Sequence, residues 1–589
     1  PARAPVLLMV KNLSTLNEKL ARVEEQLGLE LPALGDALEQ FKSSIGIRQG
    51  FNEQGSFGLV LNELPLESAP NSGVTTQPSQ DDPFSVMFGS GPPVFLLVPV
   101  TDHNQFIANY DSKSSEHGIS TLLLPTGHTA YAKSITGFTI MGGDRDTVAA
   151  YKPGKAAATL LEASGKLGRQ CLDRSDVALI LNVGVVGPAM ESLLDKSFDQ
   201  APLQFPGASS TPDMATQGQF TRIYEDLSVV IVAMDLAQKG IGITTTAQFK
   251  PGSDLAEIFK GGANAKVALA QLPEQSYISA SAMDLSGVQI TGILEEAIQL
   301  PANGSDPAHE LLRTMLSILK QVKSVASLSP VPRNLIGGLP SMRILTVEDP
   351  RSCAEKIGQM ITSLDGISVS VPPPSDGGPG EQGAVDTNTS SQSMNVAYSS
   401  GVLVIDDVKV DQYAVNLPQD MITQIGQSVP MFSMLGLGKF TGYIAATDTH
   451  LIVTSTLDVQ LVRQALIAVK ESNGLGTTGP IAEVRTDADL SNATIEGYLS
   501  VSGLAQPVIN FMNIIGQDLR LQIPTDLPPI ATGLHTENQG AALRVYVPTE
   551  VLQFGKEVAS QFTGFFGAEP QQQGPRSRSR RRGAPPAPF

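Results

Sequence analysis

The chain has 589 residues, 41% of them hydrophobic and 17% charged, and a formal net charge of −18 at neutral pH. Such a length exceeds what one core organises, so about three or four compact units are expected. The acidic balance excludes nucleic-acid binding by the folded body, because phosphate contacts need a basic face, and two cysteines exclude a disulfide scaffold or a cysteine-rich metal cluster.

Pro5-Val-Leu-Leu-Met-Val10 has the pattern of a buried strand. Thr15 and Glu18 have the capping-box spacing of a helix start; Leu16, Leu20, Val23 and Leu27 then mark one helical face, stopped by Gly28. The same grammar of apolar strand, short polar cap and helix recurs at Pro93 to Val98 and at Tyr277 to Met283 before Ser286. Between these units lie antiparallel candidates bounded by turn residues: Leu122 to Pro125, Tyr131 to Ile135, Phe138 to Met141, Leu227 to Met234 and Ile241 to Phe249. Hairpins outnumber single strands between helices, so the fold class is α+β, with tandem modules of mixed or antiparallel sheets covered by helices. Ser68 to Pro83, Pro372 to Asn395 and Gln571 to Phe589 have the composition of loops, linkers or tails without a core.

Four landmarks occur twice in the same order. The strand Phe95 to Val100 leads through Asp102 into a helix, as Tyr413 to Leu417 leads through Asp420; a hairpin enters a helix at Asp144 and again at Asp458. Val177 to Val183 precedes a helix at Pro188 as Ile495 to Val501 precedes one at Pro507, and strand pairs turn at Gly240 and Gly540. This ordered self-similarity implies internal duplication. Met342 to Cys353, with its Asp349-Pro350 helix start, looks like a third partial copy. The expected layout is therefore a first module over 1–272, a partial copy or bridge over 273–371, a disordered loop over 372–395, a second module over 396–566 and a basic tail over 567–589.

Chemistry is weakly signalled. His103, His117, His128, His309, His450 and His535 show no metal-ligand spacing and are expected at the surface. Gly154-Lys155 and Gly165-Lys166 lack the glycine and hydroxyl residue of a phosphate loop, and the Asp487 to Asn492 run lacks the turn glycine of a calcium loop. No Gly-x-Ser-x-Gly elbow is present. The aspartates Asp102, Asp144, Asp349 and Asp458 each stand where a helix begins and are expected as caps. No catalytic residue, cofactor or metal is implied. Two other features stand out. Cys171 and Cys353 could bridge if the chain is exported, although the position of Cys353 fits a separate buried thiol better. Arg576, Arg578, Arg580, Arg581 and Arg582 could contact an anionic membrane or envelope polymer.

The stretches Pro93 to Phe106 and Tyr131 to Asp144 resemble a family of uncharacterised exported proteins of planctomycete-type bacteria. The resemblance implies export to the periplasm or cell envelope and supplies no catalytic residues. A non-enzymatic binding or structural protein of the envelope is the expected function. Two alternatives stay open: a carrier of an apolar ligand in a cavity lined by Val177 to Met190 and Leu504 to Ile515, and a hydrolase whose site the sequence does not display.

Overall fold

The structure is a computed structural model that describes residues 4–28, 36–62, 94–116, 118–151, 156–187, 224–259, 261–288, 307–332, 340–366, 368–369, 392–418, 438–514, 522–537 and 539–566. The loop expected at 68–83, most of that at 372–395, the Asp420 and Pro188 helix starts and the arginine tail lie outside these residues.

Ten strands of the first half and ten of the second join one antiparallel sheet. In chain order the first half supplies β1 (Val6–Val10), α1 (Leu13–Leu27), α2 (Ala37–Ile45), β2 (Phe57–Leu61), β3 (Val94–Pro99), α3 (His103–Ile107), β4 (Asp111–Glu116) and β5 (Ile119–Leu123). It continues with β6 (Thr129–Ile135), β7 (Phe138–Gly142), α4 (Arg145–Ala150), α5 (Ala156–Ala163), α6 (Gly165–Arg174), β8 (Val177–Asn182), β9 (Leu227–Ala237) and β10 (Gly240–Phe249). After α7 (Asp254–Ile258) and α8 (Lys266–Leu269), the second half adds β11 (Tyr277–Asp284), α9 (Pro307–Leu319), β12 (Val322–Pro330), β13 (Met342–Val347) and α10 (Pro350–Ser363). Two short strands, β14 (Ser368–Val369) and β15 (Gln392–Ser393), pair apart from the main sheet. Then come β16 (Asn395–Ile405), β17 (Val408–Asn416), β18 (Lys439–Ala446), β19 (His450–Thr454), α11 (Val459–Glu471), α12 (Gly479–Asp487), β20 (Ile495–Leu499), α13 (Val501–Ile514), β21 (Ile530–Glu537), β22 (Gly540–Pro548) and α14 (Thr549–Phe566).

Every pairing of the large sheet is antiparallel, so the mixed sheets allowed by the sequence do not occur among the described residues. The remaining pairings have the same sense. The halves meet where β10 pairs β22. Counted outward from that seam, one side runs β9, β8, β1, β2, β3, β7, β6, β5, β4 and the other β21, β20, β11, β12, β13, β19, β18, β17, β16. Strands at equal distance hold equal rank in their halves. By rank β3 stands level with β13 and not with the Tyr413 strand matched to it in the sequence, and Asp349 follows β13 as Asp102 follows β3. Residues 273–371 accordingly supply β11, β12 and β13 to the same sheet as 396–566. An apolar strand followed by a capping aspartate looks the same at either rank, which is why sequence pattern alone misplaced it.

The helix starts follow capping chemistry. Asp102, Asp144, Asp349 and Asp458 each accept a backbone N–H from the first turn of the following helix. Four residues after Asp102 and Asp349 stand Phe106 and Cys353, both fully buried. Two other caps differ from the expected ones: α1 is capped by Asn12, one turn ahead of Thr15, and the 3-10 turn after β11 by Asp284 rather than by Ser286. In both cases an amide or carboxylate closer to the strand end reaches the free N–H groups first. Asp349→Ala should lower stability by about 1 kcal/mol, a cap's usual contribution. A shift in melting temperature far above that of Asp144→Ala or Asp458→Ala would show that Asp349 does more than cap.

Helices cover the sheet unevenly. In the first half Leu96, Val98, Phe106, Leu122 and Met141 form one core, while Phe95, Ile140 and Val148 form another on the opposite face. In the second half the same division holds between Ile344, Ile452 and Val462 and Val347, Cys353, Ile444 and Leu451. Strands β3 and β7 of the first half and β13 and β19 of the second thus carry a core on each face, which their near-continuous apolar sequences require. No helix among the described residues is long and apolar enough to cross a membrane.

Candidate functional site

At the seam, Gly240 pairs Pro548 and Gln248 pairs Gly540. The flanking hairpins turn between Ala237 and Gly240 and between Glu537 and Gly540, so Thr244 holds the position of Arg544, and these two residues face each other directly. That pair lies between the two middle strands of the sheet. Arg544 Nη1 and Nη2 donate to the two Asp235 carboxylate oxygens at 2.8 and 3.0 Å, and Nη1 also donates to Thr244 Oγ1 at 2.9 Å. Both charged side chains are buried. A Cβ at Gly242 would come within 2.5 Å of both Arg544 Nη2 and Asp235 Oδ1, so only glycine lets the ion pair lie across the strand.

This ion pair lines a cavity of about 70 Å³ with Cys171, Arg174, Asp489 and His535. His535 pairs with Ala542 on β22 as Asp235 pairs with Gly242 on β10. Burial holds its imidazole below its ordinary pKa, against the opposing pull of Asp489, and Arg174 pairs with Asp489 across the seam. The volume fits a water or two, too little for a substrate of any size. The seam therefore serves as a junction.

A second buried polar group lies in the second half alone. Arg485 Nε donates to Glu496 Oε2 at 2.8 Å and its Nη2 to Oε1 at 3.2 Å, while its Nη1 satisfies the Gly476 carbonyl at 2.6 Å. Tyr498 donates its hydroxyl to Glu496 at 2.5 Å, and burial together with the Glu496 charge drives the phenol's pKa well up. Glu496 and Tyr498 pair with Gly533 and Ala531; the matching positions of β8 are Ala178 and Ile180, both apolar. The group is fully paired inside a core, away from the seam cavity, so it acts in structure.

A much larger concavity also belongs to the second half. An open trough of about 1210 Å³ lies between α10, the β16–β17 hairpin and β18. Its walls carry Glu355, Asp406, Asp407, Asp411 and Asp448 against Arg351 and Lys409. Asp411 organises one wall, accepting from the Tyr398 hydroxyl at 2.5 Å, from Ser400 Oγ at 3.0 Å and from the Gly401 N–H at 2.7 Å. Tyr398 lies on the glycine face of α10, where a Cβ at Gly358 would stand 2.6 Å from the ring. The mouth is solvated: Arg351 and Asp448, 3.6 Å apart, are 80% and 95% exposed, too open for their ion pair to hold it shut. A smaller cleft of about 380 Å³ opens beside the start of α13, lined by Ser500, Ser502 and Gln506.

The trough exists because elements of equal rank differ in length. In the first half α3 has 5 residues and β4 and β5 have 6 and 5; in the second α10 has 14 and β16 and β17 have 11 and 9.

Of the residues singled out in the sequence, Cys171 and Cys353 are both free thiols, buried on α6 and α10 in separate cores. The bridge is thus not formed: the two cysteines belong to different halves, each packed against its own sheet segment. Burial pushes the Cys171 thiol up to about 11 and raises that of Cys353 as well. Both should resist a thiol reagent in the native protein and both should react once it is denatured without reductant; a single reactive thiol, or none, would contradict the free state. Arg576, Arg578, Arg580, Arg581 and Arg582 lie outside the described residues.

The histidines do not all lie at the surface. His450 opens β19 as a buried residue, its Nδ1 2.7 Å from Thr449 Oγ1, because the strand turns into the core one residue earlier than the turn signal implies. His103 is partly buried, with Nδ1 2.8 Å from Thr139 Oγ1. Burial lowers the pKa of both. His117 is not among the described residues. No group of three or more His, Cys, Asp or Glu among the described residues is placed to hold a metal ion. The two segments expected to line an apolar cavity stand apart: Val177–Asn182 is β8 of the first half, whereas Leu504 and Val508 lie about half exposed on α13.

No protein-family model, curated protein or solved structure matches the chain. The functional reading therefore rests on geometry.

Sequence reasoning missed the buried ion pairs, although a signal existed. Asp235 is the one charge in Leu227 to Ala237, and Arg544 the one charge in Gly540 to Pro548. A lone charge within an otherwise apolar strand calls for a buried partner.

Proposed function

We propose that the chain is a duplicated, non-enzymatic binding or structural protein of the bacterial cell envelope, with its binding site in the trough between α10 and the β16–β17 hairpin. The carrying observation is that this trough appears where the two halves depart from each other in element length. The equal ranks of the strands about the β10–β22 seam support the duplication. Its size exceeds the roughly 300–1,000 Å³ of small-molecule pockets and its walls are open and charged, which suits a macromolecular or polymeric ligand better than an enclosed apolar one. The envelope location rests on the resemblance of the segments around Asp102 and Asp144.

A photo-crosslinking residue at Gln359, which lines the trough, should give a discrete adduct in intact cells. The same residue at Asp146, exposed on α4, should give none. Equal labelling at both positions would refute the trough as the site, and turnover by the purified protein that is lost on substituting one of its own side chains would refute the non-enzymatic reading.

A further inference from the structure

We infer that the seam is an acid-sensitive latch between the two halves, released when His535 takes up a proton inside the cavity that Arg544 and Asp235 line. The groups around that cavity come from both halves, and their charges are already matched across it. From the first half α6 supplies Cys171 and Arg174, β9 supplies Asp235 and β10 supplies Thr244. From the second come Asp489, just after α12, His535 on β21 and Arg544 on β22. Arg544 is paired with Asp235 and Arg174 with Asp489, so each ion pair has one partner in each half. Two cations thus face two anions, and the imidazole stands among them as the kind of group that titrates near neutral pH.

Protonation there adds a charge without a counter-charge of its own. A cavity of about 70 Å³ holds a water or two, too few to solvate an imidazolium, and both carboxylates are already engaged by guanidinium groups. Arg544 cannot swing away to make room, since it is 3% exposed and held by Asp235 and Thr244. Burial is the largest influence on the ring and disfavours its charged form; Asp489 and a hydrogen bond to the Asn492 backbone favour it, while Arg174 and Arg544 oppose it. The folded chain therefore binds this proton at lower pH than the unfolded chain does. The latch is complete above the ordinary imidazole value of about 6.5 and weakens as pH falls through it. Opening the seam relieves the charge by admitting water to the ring, and the strand pairing that gives way is that of β10 with β22, which joins the halves.

Hydrogen exchange of the full chain, corrected for the intrinsic dependence of exchange on pH, should accelerate several-fold in β10 and β22 between about pH 7.5 and about pH 5.5, the range in which imidazole titrates. β6 and β18, far from the seam, should change less. His535→Gln keeps an amide that can donate to the Asn492 backbone and takes no proton, so it should abolish the acceleration in β10 and β22. His535→Leu is a second neutral variant should the first fail to fold. Asp489→Asn, which removes an attraction for the proton and keeps His535, should enlarge the acceleration. His103 and His450 also lie below their ordinary pKa, and an acid response at the seam that persists in the neutral His535 variants would assign it to other groups and overturn the inference. Equal protection of β10 and β22 at both pH values in the wild-type chain would overturn it as well.

Discussion

Arg544→Ala is expected to destabilise the protein by about 3 to 5 kcal/mol, the usual cost of stranding one partner of a buried ion pair. Asp235, 7% exposed, would then lose both of its donors and face the small cavity it shares with Cys171, Arg174 and His535. The effect should concentrate at the seam, because Thr244, Asp235 and Arg544 sit at the centre of the β9, β10 and β22 pairings. Hydrogen exchange should therefore accelerate first in β10 and β22, ahead of β6 and β18. The double substitution Asp235→Leu with Arg544→Leu should recover most of the loss, since replacing both charges with apolar groups removes the desolvation cost along with the attraction. A double variant as unstable as the single one would show that the pair contributes geometry that packing cannot replace. A single variant of wild-type stability would show that water in the adjoining cavity solvates the remaining charge.

Glu496→Ala should cost a similar amount, about 3 to 5 kcal/mol, because it leaves Arg485 charged in a core. Arg485 and Glu496 are 4% and 1% exposed. Arg485 would retain only the Gly476 carbonyl, and Tyr498 would lose its acceptor. Here the first half supplies a natural control, since Ala178 and Ile180 fill the matching strand positions without polarity. The combination Arg485→Met, Glu496→Ala and Tyr498→Phe should thus lie within about 1 to 2 kcal/mol of wild type, as apolar replacement of a whole buried network often does. Chemical denaturation of the single and triple variants decides it; a triple variant no better than Glu496→Ala would mean that the network is needed to specify how α12 seats on β20.

Both predictions concern features that distinguish or join the halves. Their common basis is that the two halves share one order of strands about the seam, while each of these buried ion pairs occurs in one place. Cys353 and Phe106, each four residues after a capping aspartate, are both fully buried although they differ greatly in volume, so their surroundings must pack differently.

Much of the frame was legible in the sequence. Strand runs such as Tyr131 to Ile135 and Ile241 to Phe249, the four capping aspartates and the Gly28 stop all followed from local rules that act within a few residues. Rank was not legible, because β3, β13 and β17 share one local pattern and differ only in which strands they lie beside. The trough was invisible for the same reason: Gly358, Tyr398 and Asp411 come from three elements, and no one of them is unusual in its own sequence context.

The sequence by itself therefore determined the α+β class, the apolar patterns of the strands, the helix starts and the acidic balance of the chain, since these depend on periodicity, capping and composition. Only the tertiary structure decided that twenty of the twenty-two described strands form one antiparallel sheet, that Thr244 meets Arg544 at its centre, and that the cysteines lie in separate cores. Those outcomes depend on pairings between residues hundreds of positions apart, such as Asp235 with Arg544, 309 apart, and local propensity contains no term for such partners.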